Sequence, residues 1–178
     1  MYRWRLVERL SHYGARYPAE AAVVARFIEF VDAHPRCFER DCWAGHVTGS
    51  AWLVNASRDS VLLTHHKKLD RWLQLGGHSD GDTDSLQVAI REAQEESGLS
   101  VEVLDPDIFD VDIHEIPAHK NDPAHYHFDV RFALLAAIPD AFEVSEESHA
   151  LAWVQMSDIS AYTSEESVLR MARKWTAS

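Results

Sequence analysis

The chain is short of the residues that build unusual proteins. Two cysteines in 178 residues are too few for a disulfide scaffold, and 7 glycines with 6 prolines exclude collagen-like or low-complexity sequence. No apolar run approaches the ~18 residues of a membrane span. Positive charge is scarce too: 17 Lys and Arg stand against 29 Asp and Glu, a net charge of -12. A chain so acidic repels polyanions, which argues against non-specific binding to duplex DNA or to anionic membranes. Its start, Met1-Tyr2-Arg3-Trp4-Arg5, leads toward Glu8 and Arg9 where a signal peptide would carry its apolar stretch, so a cytoplasmic location is expected. What is present, 46% hydrophobic and 26% charged residues, is the composition of an ordinary globular fold with one main core.

Helical spacing dominates the first thirty residues. Leu6, Leu10 and Tyr13 fall on one stripe, and Pro18 opens a second run carrying Val23, Val24, Phe27, Ile28 and Val31. His34-Pro35 ends it, because proline disfavours helical geometry in the residue before it. After a linker from Arg36 to Ala44 the pattern becomes strand-like, with Val47 to Val54 and Val61 to Thr64 flanking an Asn55 to Asp59 turn. Trp72 to Leu75 feeds a glycine-rich loop, and Ser85 to Ser97 is strongly helical. Strands are predicted over Ser100 to Leu104, Ile108 to Ile116, Tyr126 to Ala137 and Ala150 to Val154, and a last helix over Glu165 to Trp175. Strands on both sides of a central helix, with helices at both ends, predict a mixed α+β sandwich.

The central helix carries the chemistry. At 100° per residue Leu86, Ala89, Ile90 and Ala93 share one arc, the predicted packing stripe, while Glu92, Glu95 and Glu96 crowd an adjacent face within one turn. Like charges at these spacings destabilise a helix, and a divalent cation reverses that sign. Asp84 is placed to cap the helix, Gln87 to complete a capping box, and Gly98 to take the left-handed C-terminal turn. A carbonyl from the Gly76-Gly77 loop adds one more hard oxygen donor, and an all-oxygen set favours magnesium or manganese.

These residues resemble the Nudix box, G-x5-E-x7-R-E-U-x-E-E-x-G-U with U aliphatic, in the MutT-like pattern. Gly77, Arg91, Glu92, Glu95, Glu96 and Gly98 match at the correct spacing, Leu99 closes the box, and Thr83 stands where the first glutamate is usual. The resemblance implies a Nudix-type α/β/α sandwich with a two-helix extension, residues 1–43 forming the extension and 44–178 the hydrolase domain. It implies an Mg²⁺-dependent pyrophosphohydrolase, with Mn²⁺ as the other cation, acting on a small nucleotide or nucleotide-like diphosphate. Metal ligands would be Gly77, Glu92, Glu95 and Glu96; Glu92 and Glu96 would serve catalysis, and Arg91 would hold a glutamate. Thr83 motivates a second reading, a non-catalytic Nudix-fold sensor or partner-binding module. RNA decapping would need a basic path, against which the net charge weighs.

Outside the box, Arg71 in the basic His65 to Arg71 stretch, His78 beside Gly77, and Glu147 among Glu143, Glu146 and Glu147 are the expected substrate contacts. His125, His127 and Asp129 alternate onto one strand face, read as a polar face lining or rimming the substrate cleft rather than a metal site. Cys37, Cys42 and His46 have zinc-like spacing without a second pair of ligands, so reduced thiols and no metal are expected there. The strand tryptophans Trp52, Trp72 and Trp153 are assigned to packing. The N-terminal helices are expected to form an accessory layer or a homodimer surface.

Overall fold

The computed structural model describes residues 3–67, 69–118, 122–136, 142 and 148–177. Helix α1 (Arg3–Arg16) and helix α2 (Ala21–Ala33) follow the predicted spacing, with a short 3-10 turn starting at Pro18 between them. Strands β1 (His46–Val54), β2 (Ser60–His66), β3 (Arg71–Leu73) and β4 (Leu75–His78) precede α3 (Ser85–Ser97). Then come β5 (Val101–Val103), β6 (Asp110–Ile116), β7 (His125–Ala136), β8 (Ser148–Gln155), the short α4 (Ile159–Tyr162) and α5 (Glu166–Ala177). Helix α4 lacks a counterpart in the sequence reading, because one turn is too short to show a period, and β4 extends as a strand through Gly76 to His78, which were read as loop. No helix among the described residues is long and apolar enough to cross a membrane.

Strand β1 is the axis of an eight-stranded mixed sheet. It runs parallel to β7 along its whole length, from His46 beside His127 to Val54 beside Leu135. Strand β4 pairs antiparallel with its first half, Thr48 opposite His78 and Gly49 opposite Gly77, and β2 joins it only at Val54. Strand β2 carries β3 and β8, and the outer side of β7 carries β5 and β6.

Because strand residues alternate between faces, this register sorts the whole sheet. On one face Val47, Ala51 and Leu53 of β1 join Phe128, Val130 and Phe132 of β7 under α1, α2 and α3. Phe27 and Phe30 of α2 pack on Phe128 with ring centroids 5.3 and 3.7 Å away. On the other face Trp52 and Val54 lie with Val61, Leu63 and Val154 under Val168 and Met171 of α5. Helices therefore cover both faces, the predicted α/β/α sandwich, and Trp52 is fully buried as assigned.

The second face also buries charge. Asp110, Asp129 and Arg131 are at most 2% exposed. Asp129 accepts from Thr48 Oγ1 at 2.8 Å, Ser50 Oγ at 2.7 Å and Arg131 Nε at 2.7 Å. Asp110 accepts from Arg131 Nη1 at 3.1 Å, Arg170 Nη2 at 2.7 Å and Lys174 Nζ at 2.6 Å. Burial alone would raise the Asp112 carboxyl, but the bond from His114 and the charges of Arg131 and Arg170 hold it well below the usual carboxylate range. Three carboxylates thus meet three cations, and the network bolts α5 to the sheet.

Removing one member leaves its partners buried and unpaired, which costs roughly 3–5 kcal/mol. Asp110→Asn is expected to lose that much stability in urea denaturation at neutral pH; a loss under ~1 kcal/mol would show that the network is not what holds α5. Asp112 has a lower pKa folded than unfolded, so the unfolded state takes up the proton first and stability falls as pH drops below ~4. Asp112→Asn is expected to flatten that fall in an acid titration of unfolding free energy.

Candidate metal and catalytic centre

Helix α3 lies across β1 and β4 where the strands offer glycine. A Cβ on Gly49 would come within 2.7 Å of the Ser85 carbonyl oxygen and 2.9 Å of Val88 Cβ, so only glycine lets the helix settle this close. The helix ends are fixed as expected: Asp84 caps the N-terminus by accepting from the Leu86 and Gln87 N–H groups, and Gly98 takes φ 70 at the C-terminus. The capping box differs from its prediction. The Asp84 N–H donates to Asp82 Oδ1 at 2.9 Å, a bond assigned in sequence to Gln87.

The buried residues of α3 are Ser85, Val88, Ala89, Ala93 and Ser97. Leu86 and Ile90, which the periodicity placed in the packing stripe, are only partly buried. With Glu92 at zero, the buried arc runs from roughly -40° at Val88 to roughly +140° at Ser97. Glu92 and Glu96 lie inside that arc, not beside it. The helix turns its carboxylates partly into the sheet because the glycines opposite them leave room.

At this contact the groups meet directly. The Gly76 N–H donates to Glu96 Oε1 at 2.8 Å. Arg91 Nη2 donates to Glu92 Oε1 at 2.9 Å and to the His78 carbonyl at 2.8 Å, so one guanidinium ties the helix to β4. The bond to Glu92 raises the Arg91 pKa further and keeps it cationic. A Cβ on Gly77 would stand 2.3 Å from Glu92 Oε2, so the absence of a side chain there is the space the carboxylate occupies. Glu95 is exposed on the outer side of the same turn. Half-buried carboxylates gathered over a bare backbone make a cradle of hard oxygen donors, and this fits a divalent cation of the magnesium or manganese kind.

A model of the NUDIX domain matches residues 45–175. The chain belongs to the Nudix family. Among solved structures it is similar to a NUDIX-family hydrolase from Clostridium perfringens, with TM-score 0.53, 25% identity, and coverage of 74% of this chain and 97% of that one. It is also similar to a MutT protein from Methanosarcina mazei Go1, with TM-score 0.60 and 16% identity over 75% and 94% of the two chains. An Ap4A hydrolase from C. elegans superposes with TM-score 0.54 and 19% identity over 74% and 95%. A search of curated proteins found no match.

Within the Nudix box the structure brings Gly77, Arg91, Glu92 and Glu96 together and leaves Glu95 at the rim. Of the aspartates near Thr83, Asp82 accepts from the N–H of the cap residue Asp84 and Asp80 pairs with Arg40. Arg71 is exposed and donates to Glu165 at 2.7 Å. His78 contributes its backbone carbonyl to Arg91, while its ring lies on the opposite face of the sheet with His46 and His127. Glu143, Glu146 and Glu147 lie outside the described residues. The His125, His127 and Asp129 face is polar as read, but His125 and Asp129 are buried rather than open. Cys37 is buried, which pushes its thiol up to about 12, and neither cysteine joins a ligand cluster among the described residues.

Gly77→Ala pushes the flexible Glu92 carboxylate off its place and leaves the sheet intact. The expected result is an unchanged circular dichroism spectrum with Mn²⁺ affinity reduced ~10 to 100-fold. Unaltered Mn²⁺ affinity would separate Glu92 from the metal.

Proposed function

We propose that the chain is a metal-dependent hydrolase that cleaves the diphosphate linkage in a nucleoside diphosphate joined to another moiety. The observation that carries this reading is the pair of half-buried carboxylates, Glu92 and Glu96, held over Gly76-Gly77 by a capped helix. A helix face that served only solvation would turn these charges outward. Glu92, Glu95 and Glu96, with the Gly77 carbonyl, would hold Mg²⁺ or Mn²⁺. Such a cation supplies Lewis acidity, neutralising diphosphate oxygens and acidifying water.

The chain's own residues do the rest. Glu92 accepts a proton from the attacking water, and its orientation comes from Arg91, which is itself anchored on the His78 carbonyl. Glu96 is fixed by the Gly76 N–H, so its carboxylate cannot swing away. Residues 44–178 form the catalytic domain in this reading, and the helices of residues 1–43 thicken the layer that α3 belongs to. The net charge of -12 would repel a nucleotide, so substrate capture depends on the cation.

Release of phosphate or nucleotide from nucleoside triphosphates, ADP-ribose, dinucleoside polyphosphates, NADH and nucleotide sugars tests this directly, with Mg²⁺, Mn²⁺ or EDTA present. Metal-dependent cleavage of one class is expected, falling ~100-fold or more in Glu96→Gln with the fold unchanged. Undiminished activity in that variant would sink the assigned site. Nucleotide binding without turnover would support the sensor reading that Thr83 motivates.

A further inference from the structure

Strand β4 has two faces, and the second is lined by histidine. Gly77 faces α3; the next residue, His78, pairs opposite Thr48 and so faces the other way. On that side His46 of β1, His125 and His127 of β7 and His114 of β6 join it. The His46 ring centroid lies 5.0 Å from that of His78 and 4.8 Å from those of His125 and His127. His125 and His127 are 5.3 Å apart, and His114 is 5.4 Å from His127.

Imidazoles packed as core filler would each bond through their nitrogens, since a buried polar atom without a partner costs ~1–3 kcal/mol. Here His46 is 2% exposed, and both of its ring nitrogens, with Nε2 of His127, are buried without a hydrogen-bond partner. The carboxylate nearest in register, Asp129, is engaged by Thr48, Ser50 and Arg131. His125 is 9% exposed, and its Nδ1 donates to the Pro123 carbonyl at 2.8 Å, which leaves Nε2 as a lone-pair donor. One nitrogen from each of His46, His125 and His127 can be chosen so that all three lie within 4.8 Å of one another. Tetrahedral zinc at 2.0–2.1 Å from each nitrogen needs them about 3.3 Å apart, a closure of side chains rather than of strands. Burial favours the neutral form of two of these rings, lowering His46 to about 4 and His127 to about 2, and a metal needs imidazole in that form.

We propose that His46, His125 and His127 form a second metal site, distinct from the glutamates, for a borderline transition-metal ion of the zinc class. Nitrogen donors select such an ion over magnesium, just as the oxygen donors across the strand do the reverse. The ion pins the start of β1 to the start of β7 directly beneath the strand that carries Gly77.

The test uses the full chain, stripped of metal and titrated with Co²⁺ while visible absorption is followed. One equivalent with the ligand-field bands of a nitrogen site is expected, in the presence of excess Mg²⁺ and equally in Glu96→Gln. Affinity is expected to fall at least 10-fold in His125→Gln, with circular dichroism confirming the fold. If that variant does not fold, His127→Asn takes its place, and the Mg²⁺ competition on the unaltered chain already separates the two sites. Absence of the bands, displacement of Co²⁺ by Mg²⁺, or bands lost in Glu96→Gln and kept in the histidine variant would overturn the proposal. These readouts are stoichiometry and spectrum, so they stand or fall separately from turnover.

Discussion

Everything at the glutamate centre follows from how closely α3 can approach the sheet. Gly49 lets the Ser85 to Val88 turn sit on β1, and Gly77 leaves Glu92 the space beside β4. A side chain at either position would lift the helix or expel the carboxylate. Because the contact is bare, a helix that would otherwise repel itself through three glutamates keeps two of them half-buried, one tied by Arg91 and one by the Gly76 N–H. Asp84 and Gly98 fix the ends of the helix that holds them there.

The same sheet solves a second electrostatic problem on its other face. Asp110, Asp112 and Asp129 would be prohibitive to bury alone, yet with Arg131, Arg170 and Lys174 they close a network that locks α5 in place. Further along that face the charge gives way to imidazoles, of which His46, through both ring nitrogens, and His127, through Nε2, are unsatisfied where Asp129 is fully engaged. Strand β4 separates the two environments by a single residue, with Gly77 on the oxygen side and His78 on the nitrogen side.

Much of this was legible in sequence wherever periodicity or a cap decides the outcome. The α3 bounds, its cap residues and the turn between β1 and β2 follow from local pattern, and the grouping of Gly77, Arg91, Glu92 and Glu96 from the box they resemble. What periodicity missed was the width of the buried arc: Ala89 and Ala93 are buried as read and Leu86 and Ile90 pack against the core, but burial also runs round past the glutamates to Val88. Glycine at 49 makes room for that extension, and a residue thirty-six positions away leaves no trace in helical periodicity. The histidine group was missed for a related reason. The alternation of His125 and His127 was visible, but His46 comes to them only through the parallel register of β1 with β7, which no spacing within one strand reveals. The buried charge network is likewise a product of tertiary pairing between β6, β7 and α5.

Anomalous diffraction from crystals soaked in Mn²⁺ puts the cradle to the sharpest trial. A manganese peak within ligand distance of the Glu92 and Glu96 carboxylates, on the α3 side of β4, is the predicted result. No peak there, or manganese found only among the imidazoles on the opposite face, would contradict the assignment of the glutamates as the hard-metal centre.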